Sequence, residues 1–198
     1  MKYGNTVKDP QPITLETSSL STSTQIQKKE NVGPFISPIS NALSRITKKP
    51  FGIYVDPKNS PVSPERFTGF HTGVDFETES SEANVDVPIY AICDGKILQS
   101  KFGNGYGGMV VESCTLDNSP ITVVYGHLRL SSVKTKIGET ISSGEFLADL
   151  GTGYSTETDG ERKHLHLGIH KGSTPNTSGY VSNKNDLSNW IDIEQYLK

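Results

Sequence analysis

The chain has 198 residues, a formal net charge of −3 at pH 7 and a hydrophobic fraction of 33%. This length fits one domain with appendages, or at most two small domains. The sequence has neither the lysine and arginine cluster that a nucleic-acid partner requires nor an apolar run long enough to form a transmembrane segment.

Residues 1–48 are predicted to form an N-terminal tail or linker. They hold few large apolar side chains and include a Ser/Thr-rich run at Thr17–Thr24, and such a stretch buries too little surface to offset its ordering entropy. An ordered strap over Val32–Ile46 is the alternative. The first residues lack the apolar core of a secretion signal, so either the protein stays inside the cell or the chain begins downstream of a removed signal or anchor.

From Phe51 onward, short runs of β-branched and aromatic residues alternate with glycine-marked turns. This pattern predicts an all-β fold, mainly antiparallel and barrel-like, with an irregular N-terminal segment and one short C-terminal helix. The predicted strands are Ile89–Cys93, Lys96–Ser100, Met109–Ser113, Ile121–Tyr125, Glu145–Leu150 and His164–His170. The predicted turns are Asp94-Gly95, the Gly103–Gly108 run and Asp117-Asn118.

The C-terminal helix is predicted over Leu187–Leu197, with Asp186 available as a cap near its start. Its apolar face, which would pack on the sheet, consists of Leu187, Trp190, Ile191 and Leu197. Residues 177–198 are therefore expected to form a C-terminal extension, and residues 49–176 the main domain.

The two cysteines, Cys93 and Cys114, are too few for a disulfide framework and lack a CxxC arrangement. If the strands around them pair as a hairpin, the two residues lie near each other without being directly opposite. Two buried thiols are expected, with a disulfide as the alternative, because the geometric window for a disulfide is narrow.

Four of the five histidines and one aspartate form a candidate site. His164 and His166 are two residues apart, so in a strand they project from one face with Cα atoms roughly 6–7 Å apart. The alternate residues, which would face a core, are Leu165, Leu167 and Ile169. His170 shares the parity of the histidine pair but lies further along, and is predicted to be a bystander.

His71 and Asp75 are four residues apart, roughly 13 Å in a straight strand, which is too far to share a metal ion. Thr72-Gly73 between them permits a bend or bulge that brings the two side chains together. His127 continues the strand parity of Tyr125 and is expected to project from the end of a β-run.

Imidazole and carboxylate groups bind divalent metals without cysteine, and three protein ligands plus a water are typical of catalytic zinc sites. His71, Asp75 and one histidine of the HxH pair would supply such a set. His127 and the other histidine of the pair would remain beside the bound water, whose pKa zinc lowers towards neutrality. The pattern predicts a hydrolytic enzyme with one zinc ion (Zn²⁺) per chain.

From about Pro50 to Gly172 the chain resembles the lysostaphin/LytM-type zinc metallopeptidases, the Gly-Gly and D,D-endopeptidases of cell walls. The motifs that carry the resemblance are Phe70–Phe76 (FHTGVDF), Val87–Ile97 (VPIYAICDGKI), Val124–Leu128 (VYGHL) and His164–Leu167 (HLHL). The resemblance implies zinc ligands at His71, Asp75 and His166, and catalytic histidines at His127 and His164. It also implies a mostly antiparallel β structure with the site in a groove.

By the same resemblance, residues 49–176 are a zinc metallopeptidase domain that hydrolyses peptide bonds in peptidoglycan cross-links or stem peptides through a zinc-activated water. Such an enzyme is expected in the cell envelope, either periplasmic or extracellular. One departure concerns the approach to the HxH pair, where family members often run almost directly from a Ser-Thr-Gly turn into the first histidine. Here a longer charged loop separates Ser155-Thr156 from His164 and is expected to border the groove.

Two other kinds of protein remain as alternatives. A catalytically inactive LytM-like regulator or wall-binding module would have lost metal ligands, whereas every position is filled here. A phosphocarrier-like β domain would share the histidine followed by Gly-x-Asp but lack the HxH pair. A lipoyl carrier needs a lysine at a hairpin tip, and the turn around Ser142–Ser143 has none.

Overall fold

A computed structural model of the protein describes residues 1, 2, 4 and 34–197. Within these residues the strands are β1 (Tyr54–Val55), β2 (Gly69–His71), β3 (Gly73–Glu77), β4 (Pro88–Tyr90), β5 (Gly95–Gly103), β6 (Gly107–Leu116), β7 (Ser119–Leu128), β8 (Thr140–Ile141), β9 (Phe146–Asp149), β10 (His164–Lys171), β11 (Tyr180–Val181) and β12 (Trp190–Ile191). Short 3₁₀ helices lie at Ala42–Arg45, Ser80–Glu82, Leu130–Ser132, Thr156–Thr158, Lys184–Asn189 and Ile193–Gln195. None of the helices in the described ranges has the length and apolar character to cross a membrane.

The largest sheet has the strand order β12-β10-β7-β6-β5-β8, and β3 also pairs with β10. All of its pairings are antiparallel. The β6–β7 hairpin turns at Asp117 and Asn118, whose φ angles of 49° and 60° give the left-handed turn that matches strand twist. The prediction of a mainly antiparallel all-β fold is therefore confirmed.

The six predicted strands overlap β4, β5, β6, β7, β9 and β10. The other strands are not predicted. Apart from β3, which has five residues, they are runs of two or three residues and carry too little alternation to identify. Three of these strands build one small separate sheet, in which β1 and β11 both pair with β2. The third sheet pairs β4 with β9.

The main core lies on one face of the largest sheet and includes Ile89 from β4 and Leu147 from β9. Leu165, Leu167 and Ile169 point into this core, as the alternation predicts. A smaller cluster joins Met109, Val111 and Val124, which alternate with main-core residues along β6 and β7, to Tyr106 of the β5–β6 turn. His164 and His166 alternate with the core residues of β10 and therefore lie on its other face.

Residues 34–48 pack against the domain. Phe35 and Ile39 are buried in the main core, and Arg45 donates hydrogen bonds of 2.6 and 2.9 Å to the two carboxylate oxygens of Glu82. These contacts favour the ordered strap over the tail interpretation for residues 34–46. The rest of the predicted tail, apart from residues 1, 2 and 4, lies outside the described residues.

The predicted α-helix over Leu187–Leu197 is wrong. Trp190 and Ile191 form β12, which pairs with His170 and Ile169 of β10, and this pairing separates two 3₁₀ helices. The predicted cap at Asp186 is also replaced, since Asn183 and Asp192 cap the two short helices. The sheet edge offers Trp190 a buried position and its backbone a partner, which outweighs helix propensity here.

The expectation of two free thiols is also wrong. Cys93 and Cys114 form a disulfide, and their Cα atoms lie 6.2 Å apart. This distance falls within the range that a disulfide spans without backbone movement. The two cysteines, although not directly opposite each other, are thus close enough to form the disulfide that was the alternative to free thiols.

Candidate active site

His71, Asp75 and His166 meet at one point in the structure. His71 Nε2 lies 3.0 Å from His166 Nδ1 and 3.4 Å from Asp75 Oδ1, and His166 Nδ1 lies 3.2 Å from the same Asp75 oxygen. All three side chains are buried. Three donor atoms thus form a nearly equilateral triangle.

The backbone between His71 and Asp75 explains how they meet. β2 ends at His71 and β3 begins at Gly73, so the chain bends at Thr72, as the sequence predicts. A side chain at position 73 would come within 2.8 Å of the His166 ring and 2.5 Å of Leu167 O. Only glycine fits at this bend, and its absence of a side chain leaves room for the His166 imidazole.

β10 carries His166 between the other two functional strands. His166 pairs with Asp75 of β3 on one side and with Gly126 of β7 on the other. Gly126 is directly followed by His127. The register of the sheet therefore places side chains from three separate sequence motifs next to one another across β3, β10 and β7.

The segment 49–53 fixes the orientation of the first two residues. Pro50 O lies 3.3 Å from His71 Nδ1, which suits a hydrogen bond that leaves Nε2 facing the other donors. Lys49 O accepts a hydrogen bond of 3.0 Å from the backbone of Asp75. Such partners hold the tautomer and the ring plane of a metal-binding histidine.

The donor triangle fits a zinc ion. Ligand atoms about 2.0–2.1 Å from zinc in a tetrahedron are separated by roughly 3.3–3.4 Å, and the observed separations are 3.0, 3.2 and 3.4 Å. The chemistry of the set, two imidazoles and a carboxylate, is also that of zinc ligands. Three donors leave the fourth tetrahedral position open, which is typical of catalytic sites.

The protonation of these groups also suits a cation. Burial raises the pKa of Asp75, but the His164 and His71 rings outweigh burial, and its pKa lies well below the ordinary value of 3.8. Burial lowers the pKa of His166 to about 4. An ionised carboxylate and a neutral imidazole are the forms that bind metal.

His127 and His164 lie side by side next to the triangle, with ring centroids 4.1 Å apart. Strand parity with Tyr125 would send His127 into the main core, but His127 has a φ of 64° and sits at an irregularity where the β6–β7 register shifts. Hydrogen bonds from His127 N to Tyr106 O and from Gly151 N to His127 O hold this bulge. The bulge therefore redirects the imidazole from the core to the site.

The two rings differ in their surroundings. His127 Nδ1 is buried and has no hydrogen-bond partner among the described residues, and burial lowers its pKa well below the ordinary value of 6.5. His164 Nδ1 lies 2.8 Å from Arg162 O, and its Nε2 lies 3.2 Å from Asp75 Oδ2. The neutral ring of His127 thus leaves Nδ1 available as an acceptor, whereas both ring nitrogens of His164 face oxygen acceptors.

The site opens into a cavity of about 240 Å³. Besides the site residues Asp75, His127, His164 and His166, its walls include Lys49, Phe67, Tyr106, Glu161, Arg162 and Tyr180. The charged loop before His164 does border the cavity, through Glu161 and Arg162. His170 is not among the lining residues, and its ring packs 4.9 Å from the Trp190 ring.

Several residues around the site were not identified from the sequence. Tyr106 OH lies 3.5 Å from His166 Nε2, and the Tyr180 ring packs 5.1 Å from the His71 ring. Lys49 Nζ donates to Tyr180 OH at 3.0 Å and pairs with buried Glu65 at 2.6 Å. No local pattern marks these residues, because each reaches the site from a distant part of the chain.

Residues 69–178 match the model of Peptidase family M23. The match covers more than half of the chain, and the chain therefore belongs to this peptidase family. The resemblance to lysostaphin/LytM-type peptidases is confirmed, and family membership replaces the carrier-domain alternatives.

Two curated relatives show the same relationship. Glycyl-glycine endopeptidase ALE-1 of Staphylococcus capitis is 32% identical over 133 residues, which cover 61% of this chain and 33% of that protein. Lysostaphin of Staphylococcus simulans is 31% identical over 100 residues, which cover 50% of this chain and 18% of that protein. The chain thus spans a third or less of the length of these relatives.

Solved structures show the same fold. The catalytic domain of lysostaphin from Staphylococcus simulans superposes with a TM-score of 0.53 at 21% identity, covering 81% of this chain and 98% of that chain. LytU superposes with a TM-score of 0.51 at 22% identity, covering 77% of this chain and 83% of that chain.

Proposed function

We propose that the protein is a zinc-dependent endopeptidase that hydrolyses peptide bonds in peptidoglycan cross-links or stem peptides. One observation carries the proposal: the donor atoms of His71, Asp75 and His166 form a zinc-sized triangle, with His127 and His164 beside it at a cavity wall. In this proposal His71, Asp75 and His166 hold one zinc ion per chain. His127 and His164 are the catalytic residues.

Zinc, when bound, supplies a Lewis acid that activates water and polarises a carbonyl group. His127 enters the reaction as a neutral imidazole, because its pKa is lowered by burial, and its Nδ1 has no partner among the described residues. It accepts the proton of the attacking water and returns it to the amine that leaves when the C–N bond breaks. His164 Nε2, which faces Asp75 Oδ2 at 3.2 Å in this structure, would turn to donate a hydrogen bond to the oxygen that becomes negative during attack. Both histidine side chains are buried, and the low dielectric of such surroundings strengthens both interactions.

The proposed substrate class rests on family membership and on the relatives. ALE-1 is a glycyl-glycine endopeptidase by name, and lysostaphin shares the fold. A peptide of peptidoglycan, in a cross-link or a stem, is therefore the proposed partner, and the cell envelope, periplasmic or extracellular, is the proposed location.

Purified peptidoglycans with different cross-bridges provide the test. Incubation with the protein is expected to release fragments whose masses identify the cleaved bond, and a chelator or the H166A substitution is expected to abolish the release. H170A is the matched control, because His170 belongs to the same strand but lies outside the cavity. Zinc binding without release from any peptidoglycan would contradict the proposal and favour an inactive, wall-binding relative.

A further inference from the structure

We propose that Arg162 is a positioning residue that determines which carboxylate oxygen of Asp75 faces the metal and which faces His164. The inference rests on the proposed function, because it takes zinc to bind at His71, Asp75 and His166. It concerns the charged loop before the HxH pair, the part of the site in which the chain departs from the pattern of the family it resembles.

The two oxygens of Asp75 have different neighbours. Oδ1 faces the donor atoms of His71 and His166, at 3.4 and 3.2 Å. Oδ2 accepts a hydrogen bond of 2.8 Å from Arg162 Nη2 and lies 3.2 Å from His164 Nε2. Arg162 therefore binds the Asp75 oxygen that points away from the proposed metal position.

Glu77 holds the guanidinium in place. Arg162 Nε donates to both carboxylate oxygens of Glu77, at 3.0 and 2.9 Å. Glu77 and Asp75 are two residues apart in β3, so both project from one face of the strand. One planar guanidinium thus bridges two carboxylates, which the point charge of a lysine does less well.

The main chain of Arg162 contacts His164, whose Nε2 faces Asp75. Its carbonyl oxygen lies 2.8 Å from His164 Nδ1, while its side chain holds the Asp75 oxygen beside His164 Nε2. Arg162 thus touches one proposed metal ligand and one proposed catalytic histidine. A single residue sets the relative orientation of both.

The loop that carries Arg162 is held at several points. Thr158 Oγ1 donates to Glu161 O at 2.8 Å, Thr78 Oγ1 donates to Lys163 O at 3.0 Å, and Gly105 N donates to Asp159 Oδ2 at 2.7 Å. The Arg162 side chain is only 11% exposed. The loop is therefore an ordered support rather than a solvated connection.

Charge alone does not explain the arrangement. A lone guanidinium beside a metal site repels the cation, but the negative charge of Glu77 offsets the charge of Arg162. The pair therefore orients Asp75 more than it changes the electrostatic potential at the metal. Removing Arg162 alone would leave the negative charge of Glu77 beside the site. A decisive variant must therefore leave the net charge of the Arg162–Glu77 pair unchanged.

The test compares the wild type with the charge-balanced variant R162Q/E77Q. The matched control is R129Q/D86N, which removes another ion pair, with a separation of 2.6 Å, outside the cavity lining. Zinc Kd is measured by competition with a chelator, and the visible absorption of the cobalt-substituted protein reports the coordination number. Thermal unfolding of each metal-free variant checks that it folds.

We expect R162Q/E77Q to raise the zinc Kd about 10- to 100-fold, the usual effect of losing such a partner. We also expect weaker cobalt absorption, because Asp75 becomes free to bind through both oxygens and the site leaves tetrahedral geometry. R129Q/D86N should match the wild type in both measurements. If R162Q/E77Q does not fold, R162K serves in its place and should show changes in the same direction, because the point charge of a lysine bridges Asp75 and Glu77 less well.

The outcomes separate the two proposals. A wild type that binds no zinc overturns the proposed function and this inference with it. A wild type that binds one zinc ion, with a variant Kd within twofold and an unchanged cobalt spectrum, overturns the role of Arg162 and leaves the proposed function standing.

Discussion

The five site residues divide into two groups by their geometry. The donor atoms of His71, Asp75 and His166 face one another at 3.0–3.4 Å, whereas His127 and His164 lie beside them with tilted rings whose centroids are 4.1 Å apart. Metal binding and proton transfer are therefore expected to be separable by mutation.

Substitution of one residue from each group tests this division. We expect H166A to lose both zinc and activity, because two remaining donors hold the ion poorly. We expect H127A to retain one zinc ion per chain while the cleavage rate falls about 10²- to 10⁴-fold, the usual contribution of a general acid or base. Metal analysis and the rate of peptide release check both, with H170A as the control. Loss of zinc from H127A would contradict the division.

The sequence predicts part of this site through simple geometry. Strand alternation places His164 and His166 on one face, and the Thr72-Gly73 pair permits the bend that brings His71 to Asp75. The direction of His127 does not follow from alternation, because a bulge with a φ of 64° reverses it. Arg162 is also not predictable, since its salt bridge to Asp75 joins positions 87 residues apart.

At the level of elements, β6 and β7 share a buried polar pair. Tyr125 OH of β7 donates a hydrogen bond of 2.7 Å to Glu112 Oε2 of β6, and Ile92 N donates to the same hydroxyl at 2.9 Å. Glu112 is fully buried, and its Oε1 has no partner among the described residues. Burial raises the pKa of Glu112 from 4.5 to about 8, so the folded protein holds this group as a neutral acid at pH 7.

This pKa predicts a pH-dependent stability. Between pH 4.5 and about 8 the folded state keeps the Glu112 proton, whereas the unfolded state releases it. The free energy of unfolding should therefore fall as pH rises through this range, by at most about 1.4 kcal/mol per pH unit from this group. Below pH 4.5 the group is protonated in both states and its effect is constant.

Urea unfolding of the metal-free protein at several pH values, compared with E112Q, measures this contribution. E112Q stays neutral and can still accept from Tyr125, so its stability should depend less steeply on pH than that of the wild type. Other titrating groups are common to both proteins and cancel in the difference. Parallel curves for the two proteins would mean that Glu112 is ionised in the fold.

The longer strands are predictable because alternation over several residues leaves one consistent face, as in β10. The prediction of a C-terminal helix is wrong because of a tertiary contact. The apolar positions from Leu187 to Leu197 fit a helical face, but Trp190 and Ile191 pair with β10 instead. Ile193 and Leu197 still reach the main core. The pattern predicts which side chains are buried but not the backbone that buries them.

At the level of the molecule, the site extends beyond the part of the chain that matches the family model, residues 69–178. Lys49 and Pro50 hold Asp75 and His71 through backbone carbonyls, and Tyr180 of β11 packs against the His71 ring. The strap at residues 34–46 lies directly before the first of these supports. The proposed metal site therefore depends on the domain as a whole.

The proposed function requires one zinc ion in this site for peptide hydrolysis. The most direct measurement titrates zinc into the metal-free protein and follows peptide release from purified peptidoglycan. We expect release to rise with zinc and to reach a plateau at one equivalent per chain, and we expect H166A to show no release at any point. Full release of peptide by the metal-free protein, or by H166A, would contradict the proposed role of zinc.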